Sequence, residues 1–254
     1  MTKPRYLSGN GKVAVAFCYG GSSQTPQWRQ CYTAALLRDA GGKRRIVGEF
    51  AHEVSGVHIP TARCDNVRKF LAHPAKPEWL WMIDTDATFA DDTLERMIAS
   101  ADPNSRPILG ALAFGVGIAE TPDGVPMVNE TGAFVPQLFP TIYTVNADST
   151  VTRIDNYPRD QIVQCHATGA HCLLVHRTVL EDARWLDDQH PLPWFRTAVA
   201  GGDEVSEDHF FCWKAGRLGY PIHVDTAIKT GHVKTWIADE TWFNTLRSLA
   251  NGSD

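Results

Sequence analysis

The sequence predicts one α/β domain: a mostly parallel sheet flanked by helices, with a small antiparallel β element. Three observations lead there. Through the first half of the chain, β-rich runs alternate with amphipathic helical patterns at short spacing, an order that favours parallel strands joined by helical crossovers. Glycine pairs and proline-rich stretches punctuate these runs. The run "WLWMI" (79–83) is apolar at every position, as a strand buried on both faces is, and stops abruptly at Asp84 and Asp86. With 254 residues, 43% of them hydrophobic, the chain can bury a sizeable core.

The elements follow in order. "KVAVAFCY" (12–19) is a β-rich run bounded by Gly20-Gly21. "QWRQCYTAALLRDAGG" sets Trp28, Tyr32, Ala35 and Leu36 on one helical stripe and stops at Gly41-Gly42. "RIVGEFAH" (45–52) is a second strand, and "TARCDNVRKFLAH" (61–73) a helix with Thr61 as cap and Val67, Phe70 and Leu71 inward. After "WLWMI", the segment "ADDTLERMIASA" (90–101) is a helix with acids in its first turn, and "PILGALAF" (107–114) a further strand. The Gly- and Pro-rich stretch 115–137 has no sustained period and is expected to be a loop over the site. "FPTIYTV" (139–145) and "TVTRID" (150–155) predict a β-hairpin. "QIVQCHATGAHCLLVHRTVLEDA" predicts two strands around Gly169, then a helix from about Thr178. "SEDHFFCWKAGRLGY" predicts a helix capped by Ser206, "PIHVD" a short strand, and 236–254 a terminal amphipathic helix.

Composition excludes some classes. A net charge of −5 offers no basic stripe for a phosphate backbone, so nucleic acid is not the expected partner. The start "MTKPRYLSGNGK" has no apolar leader core, and "ILGALAFGVGIA" is too short and Gly-rich to span a bilayer. A soluble, unsecreted, cytoplasmic protein is expected. Its six cysteines form no C-x-x-C pair and are expected to be reduced core thiols.

Asp84 and Asp86, at alternate positions of a strand end, are expected to project to one side. Two close anions need a compensating cation, and carboxylate oxygens suit Mg²⁺ or Mn²⁺. An isolated D-x-D is also a common solvated turn. Here, however, it ends a strand of a parallel sheet, where that topology collects ligands.

The arrangement resembles the GT-A (Rossmann-like) fold of nucleotide-sugar glycosyltransferases, in which such a D-x-D grips the divalent ion on the donor's diphosphate. "ARCDNVRKFLA" before "EWLWMIDTDATF" is similar to that family's donor-side helix and metal strand. "ATGAHCLLVHRTVLE" is similar to its acceptor-side strand pair. "PWFRT" with "SEDHFFCWKAGRLGYPIHVD" resembles its late segment, where a Glu-Asp pair opens a helix, and "KTGHVKT" its following histidine. The resemblance covers roughly Lys12 to Lys234. One departure is "FCYGGSS", where the family usually has a Pro-Thr-type turn.

The resemblance implies one catalytic domain over 1–254: a nucleotide-sugar-binding half (12–114), an acceptor-side half (115–235) and the C-terminal helix. It implies Asp86, Asp84 and His232 as metal ligands for Mn²⁺ or Mg²⁺, with Asp84 alternatively on the ribose or the ion's water shell. Tyr19, Arg63, Asn66 and Thr85 would line the donor site. Asp208 would take the acceptor's proton and Glu207 would orient the acceptor, although both acids also suit the first turn of any helix. Trp194 and Phe195, in a Pro-flanked loop, are expected to stack on a sugar or acceptor, whereas Trp79 and Trp81 read as packing. His166, His171 and His176 are set aside as a zinc site, because alternating strand positions face apart and no thiolate pair supports them.

The expected activity is therefore metal-dependent transfer from a nucleoside-diphosphate sugar, a UDP-sugar for preference, to a hydroxyl acceptor of unspecified class. Two rivals remain: a sugar nucleotidyltransferase, for which "YGGSSQTPQWR" is a poor phosphate loop, and a noncatalytic carbohydrate-binding protein on the same fold.

Overall fold

The computed structural model describes residues 11–19, 24–53, 59–130, 132–145, 151–200 and 203–234, with positions 240 and 247. The first half runs β1 (Val13–Tyr19), α1 (Pro26–Gly41), β2 (Ile46–Glu53), α2 (Ile59–Ala72), β3 (Trp79–Ile83), β4 (Ala87–Thr88), α3 (Thr93–Ser100) and β5 (Ile108–Leu112). Then come β6 (Phe114–Ile118), β7 (Pro136–Pro140), β8 (Ile142–Val145), β9 (Val151–Arg153), β10 (Ile162–Cys165), β11 (Ala167–Thr168) and β12 (Cys172–His176). The chain continues through α4 (Arg177–Leu180), a 3₁₀ turn (Ala183–Leu186), β13 (Ala198–Ala200), β14 (Asp203–Val205), α5 (Glu207–Arg217), β15 (Ile222–Lys229) and β16 (Gly231–His232).

The central sheet has seven strands in the order β10-β15-β5-β12-β3-β1-β2. Parallel pairs join β1 to β2, β1 to β3 and β15 to β5, while β12 lies antiparallel between β3 and β5, and β10 antiparallel to β15. The sheet is thus mostly parallel, as expected, and strands from both halves of the chain build it.

Strand alternation sorts the core into two layers. Val13, Val15, Trp79, Trp81 and Ile83 face α1 and α3, meeting Trp28, Tyr32, Leu94 and Met97. Ala14, Ala16, Leu80 and Met82 face α2 and α5, meeting Val67, Phe70, Phe211 and Ala215. Trp79 and Trp81 are indeed packing residues, and Trp81 Nε1 donates to Cys172 Sγ across the sheet (3.4 Å).

Local signals explain most boundaries. Thr25 caps α1 by accepting from Trp28 N (3.2 Å), Pro26 sits in its first turn, and the helix ends at Gly41-Gly42. Thr61, expected as a cap, lies inside α2, which already runs from Ile59. Ser206 stands at the α5 cap position, but its hydroxyl donates to Asp208 rather than closing the helix end. The helix expected from Thr178 is the single turn α4.

The stretch 115–137 corrects the expectation of a loop. β6 and β7 pair antiparallel from Phe114↔Pro140 to Ile118↔Pro136, and bridges at Glu120↔Pro126 and Val128↔Phe134 continue the ribbon. Ile118, Val128, Phe134 and Leu138 are exposed along it. An arm exposed on both faces needs no alternating pattern, so period reading passed over it. The β8–β9 hairpin forms as expected, though Phe139 and Pro140 belong to β7. The turn after β1, Gly201-Gly202 and the terminal helix expected at 236–254 lie outside the described residues. No described helix is long and apolar enough to cross a membrane.

Candidate active site

β3 ends at Ile83, so Asp84, Thr85 and Asp86 occupy a turn rather than the pleat. Ala87 N donates to Asp84 O (3.1 Å) and closes that turn before β4. The β3–β12 register, Ile83 opposite Cys172, continues one step: Asp84 N donates to His171 O (2.9 Å). β4 in turn pairs with β16, setting Ala87 against His232, and Val233 N donates to Asp86 O (2.8 Å). Three separate segments are therefore pinned through backbone hydrogen bonds before any side chain is considered.

Their side chains converge. His232 Nε2 lies 3.0 Å from Asp86 Oδ2, and His171 Nδ1 lies 3.6 Å from Asp84 Oδ2 and 3.9 Å from Asp86 Oδ1. One ligand atom each from Asp86, His171 and His232 falls within 4.8 Å of the others. Asp84 stands beside this trio, its Oδ1 accepting from Arg63 Nη2 (3.0 Å). His171 is the residue sequence reading set aside. An antiparallel strand inserted beside the D-x-D strand carries it there, and only that pairing could have signalled it.

Charge is tightly managed. Burial alone would raise the Asp84 pKa, but Arg63 and His171 outweigh it and hold the carboxyl below its ordinary value. Partial burial would raise the half-buried Asp86 as well, but the adjoining His232 and Lys234 Nζ (3.0 Å) likewise hold it low. For His232, burial opposes the charge, yet the bonds to Asp86 and Phe114 O raise the imidazole above its usual value.

The residues expected on the donor side lie around the carboxyl ends of β1 and β3. A shallow cleft enclosing only ≈ 10 Å³ is lined by Ala16, Phe17, Cys18, Arg63, Asn66, Met82, Ile83 and Asp84. That is room for about one water molecule, so the cleft is a small notch at the strand ends rather than an enclosed ligand pocket. Asn66 is 2% exposed; its Nδ2 donates to Phe17 O (3.4 Å), and its buried Oδ1 has no hydrogen-bond partner among the described residues. Thr85 ties the turn to β1: its Oγ1 donates to Cys18 O (3.3 Å) and its carbonyl accepts from Thr25 N (3.0 Å). Tyr19 closes β1, and its side chain lies outside the described residues.

Across the cleft, α5 presents Glu207 and Asp208. Glu207 Oε1 is 3.3 Å from Arg63 Nε, and burial with the Asp208 charge raises its pKa against the opposing pull of Arg63. Asp208 Oδ1 accepts from Ser206 Oγ and from His209 N (2.8 Å). Its Oδ2 faces Gly169, where an added Cβ would come within 3.5 Å.

Trp194 and Phe195 do not serve as sugar platforms. They are 6% and 0% exposed, Trp194 Nε1 donates to Leu180 O (3.1 Å), and Phe195 stacks on Phe211 at 4.6 Å. Both are core residues, because the Pro-flanked loop turns its aromatics inward over α2 and α5.

The residues fit a divalent ion. Two carboxylates and two imidazoles converge, a mixed oxygen and nitrogen donor set that would suit a divalent first-row ion. The buried His171 Nδ1, which makes no hydrogen bond among the described residues, is the kind of atom such an ion would satisfy.

No family model matches the sequence, and no curated protein matches it. Solved structures share its fold. A197 from STIV aligns with a TM-score of 0.53 at 12% identity, over 88% of this chain and 86% of that one. GalNAc-T7, whose structure contains UDP, GalNAc and Mn²⁺, aligns with a TM-score of 0.52 at 10% identity. That match covers 89% of this chain and 43% of GalNAc-T7. The inositol-1-phosphate CTP transferase from T. maritima gives a weaker TM-score of 0.46 at 11% identity, over 98% of this chain and 100% of that one. The chain thus has a GT-A-like α/β fold, which it shares with A197 and GalNAc-T7.

Proposed function

We propose that this protein is a metal-dependent glycosyltransferase that moves a sugar from a nucleoside-diphosphate donor, a UDP-sugar for preference, to a hydroxyl acceptor. The observation that carries the reading is one juxtaposition: the Asp86–His171–His232 trio opens beside the Arg63–Asn66–Asp84 cleft, with Glu207 and Asp208 facing it from α5.

In this reading the nucleotide lies across the carboxyl ends of β1 and β3, with its base or ribose against the mouth of the cleft. The unsatisfied Asn66 Oδ1 accepts a donor hydrogen there. A divalent ion held by the trio supplies positive charge to the diphosphate leaving group. Arg63 keeps Glu207 and Asp84 in place, and Glu207 orients the acceptor. Asp208 Oδ2 accepts the proton of the acceptor hydroxyl as its oxygen bonds to the anomeric carbon and the bond to the diphosphate breaks. Asp84 binds the ribose or a water of the ion.

UDP release from a panel of UDP-sugars, with and without Mn²⁺, tests this. Release that requires the ion supports the proposal. A nucleoside triphosphate and sugar phosphate reacting instead to give pyrophosphate would replace it with nucleotidyl transfer, and no reaction or binding would leave a noncatalytic protein.

A further inference from the structure

We propose that the divalent ion is resident in this chain, bound before any nucleotide arrives, and that His171 restricts it to the Mn²⁺, Co²⁺ and Zn²⁺ class over Mg²⁺. This deepens the reading of the same site and rests on it for the site's location.

The rear nitrogens of the two rings each face a backbone carbonyl. His171 Nε2 is 3.1 Å from Gly231 O, and His232 Nδ1 is 3.0 Å from Phe114 O. A carbonyl only accepts, so each of these nitrogens carries the ring's hydrogen. A neutral imidazole has just one, and both forward nitrogens are then bare lone pairs. They point at carboxylates: His232 Nε2 at Asp86 Oδ2, His171 Nδ1 at Asp84 and Asp86. Lone pairs aimed at anions repel, and a shared cation turns every one of these contacts favourable. Were His232 to donate to both Phe114 O and Asp86, His171 Nδ1 would still face Asp84 and Asp86 without a hydrogen, and a hydrogen there as well would place two imidazolium charges with ring centroids 4.5 Å apart. Backbone carbonyls fixing the rear nitrogen are also how metal-ligating histidines are usually oriented.

The ligands need no nucleotide to assemble. Backbone bonds Asp84 N to His171 O and Val233 N to Asp86 O, with the β4–β16 pairing, already hold all three segments. Oxygen-seeking Mg²⁺ keeps its waters and draws ligands from phosphates, whereas paired imidazoles favour later first-row ions.

The test uses the full chain, stripped with a chelator and desalted, and titrated without nucleotide by calorimetry with MnCl₂, CoCl₂, ZnCl₂ and MgCl₂. Loss of the free Mn²⁺ signal in electron paramagnetic resonance gives an independent readout. The expected result is one transition-metal ion per chain, with Mg²⁺ weaker by at least about a hundredfold. His171→Ala should weaken Mn²⁺ by about tenfold or more, and His171→Cys should bind again with preference shifted to Zn²⁺. Absence of binding without UDP, Mg²⁺ binding equal to Mn²⁺, or unchanged affinity in a folded His171→Ala protein would each overturn the proposal. The wild-type titration alone decides if the variants fail to fold. Selective ion binding without turnover on any UDP-sugar would remove the glycosyltransferase reading and leave this one standing. Mg²⁺-supported turnover with no ion bound beforehand would do the reverse.

Discussion

Arg63 joins Asp84 to Glu207: its Nη2 is 3.0 Å from the first carboxylate and its Nε 3.3 Å from the second. One planar guanidinium, 8% exposed at the side chain, thus ties the turn after β3 to the first turn of α5. Its remaining arm, Nη1, donates to Ala170 O (3.2 Å), so all three nitrogens face protein groups. Arg63→Met leaves two partly buried carboxylates without their counter-charge and should destabilise by about 3 kcal/mol. Arg63→Lys should fold better yet still lose donor affinity, because an ammonium cannot span both partners. Urea denaturation checks the first. A loss below about 0.5 kcal/mol, typical of surface changes, would show that the fork carries no weight.

Asp208→Asn keeps the shape of the side chain and the hydrogen bond from His209 N but removes the base. Transfer to a genuine acceptor should fall by about a hundredfold or more while donor affinity holds. Near-normal transfer would exclude Asp208 as base and direct attention to Glu207.

Lys234 Nζ shares Asp86 Oδ2 with His232, at 3.0 Å. A divalent ion entering the trio should push this ammonium away and release it towards the diphosphate. Lys234→Met should therefore tighten Mn²⁺ binding without nucleotide and weaken UDP binding to the Mn²⁺-loaded protein. Two titrations separate these effects. Shifts of the same sign in both would contradict the exchange.

His176 links stability to pH away from the site. It is 0% exposed, and burial, reinforced by Arg177, lowers its pKa to about 4. Between about pH 6.5 and 4 the unfolded chain binds a proton there that the folded chain does not. Stability from this group is complete above about pH 6.5 and is lost as pH falls towards 4. His176 Nδ1 also accepts from Thr178 N (3.3 Å), which Asn can imitate. His176→Asn should flatten the decline in melting temperature across that window, and an unchanged slope would remove the assignment.

What the sequence disclosed depended on whether the deciding interaction was local. "WLWMI" ending in two acids located β3 and the site because a doubly covered strand must be apolar throughout. The order of late segments placed His232, and the β4–β16 pairing brings it to Asp86 as anticipated. His171 escaped because β12 inserts antiparallel between β3 and β5, a choice no spacing encodes. Trp194 and Phe195 misled for the same reason: flanking prolines mark a loop, but which way its aromatics turn is decided by the space over Cys64 and Phe211. The β6–β7 arm stayed hidden because it is exposed on both faces.

The central claim, that a nucleoside diphosphate binds through an ion held at Asp86, is tested most directly by calorimetric titration of UDP into wild-type and Asp86→Ala protein. Each is measured with Mn²⁺ and again after chelation. Saturable binding should occur only to the wild-type protein with Mn²⁺, because Asp86→Ala removes an ion ligand outside the buried strand. Equal UDP affinity in wild-type and Asp86→Ala protein, or affinity indifferent to chelation, would contradict the account.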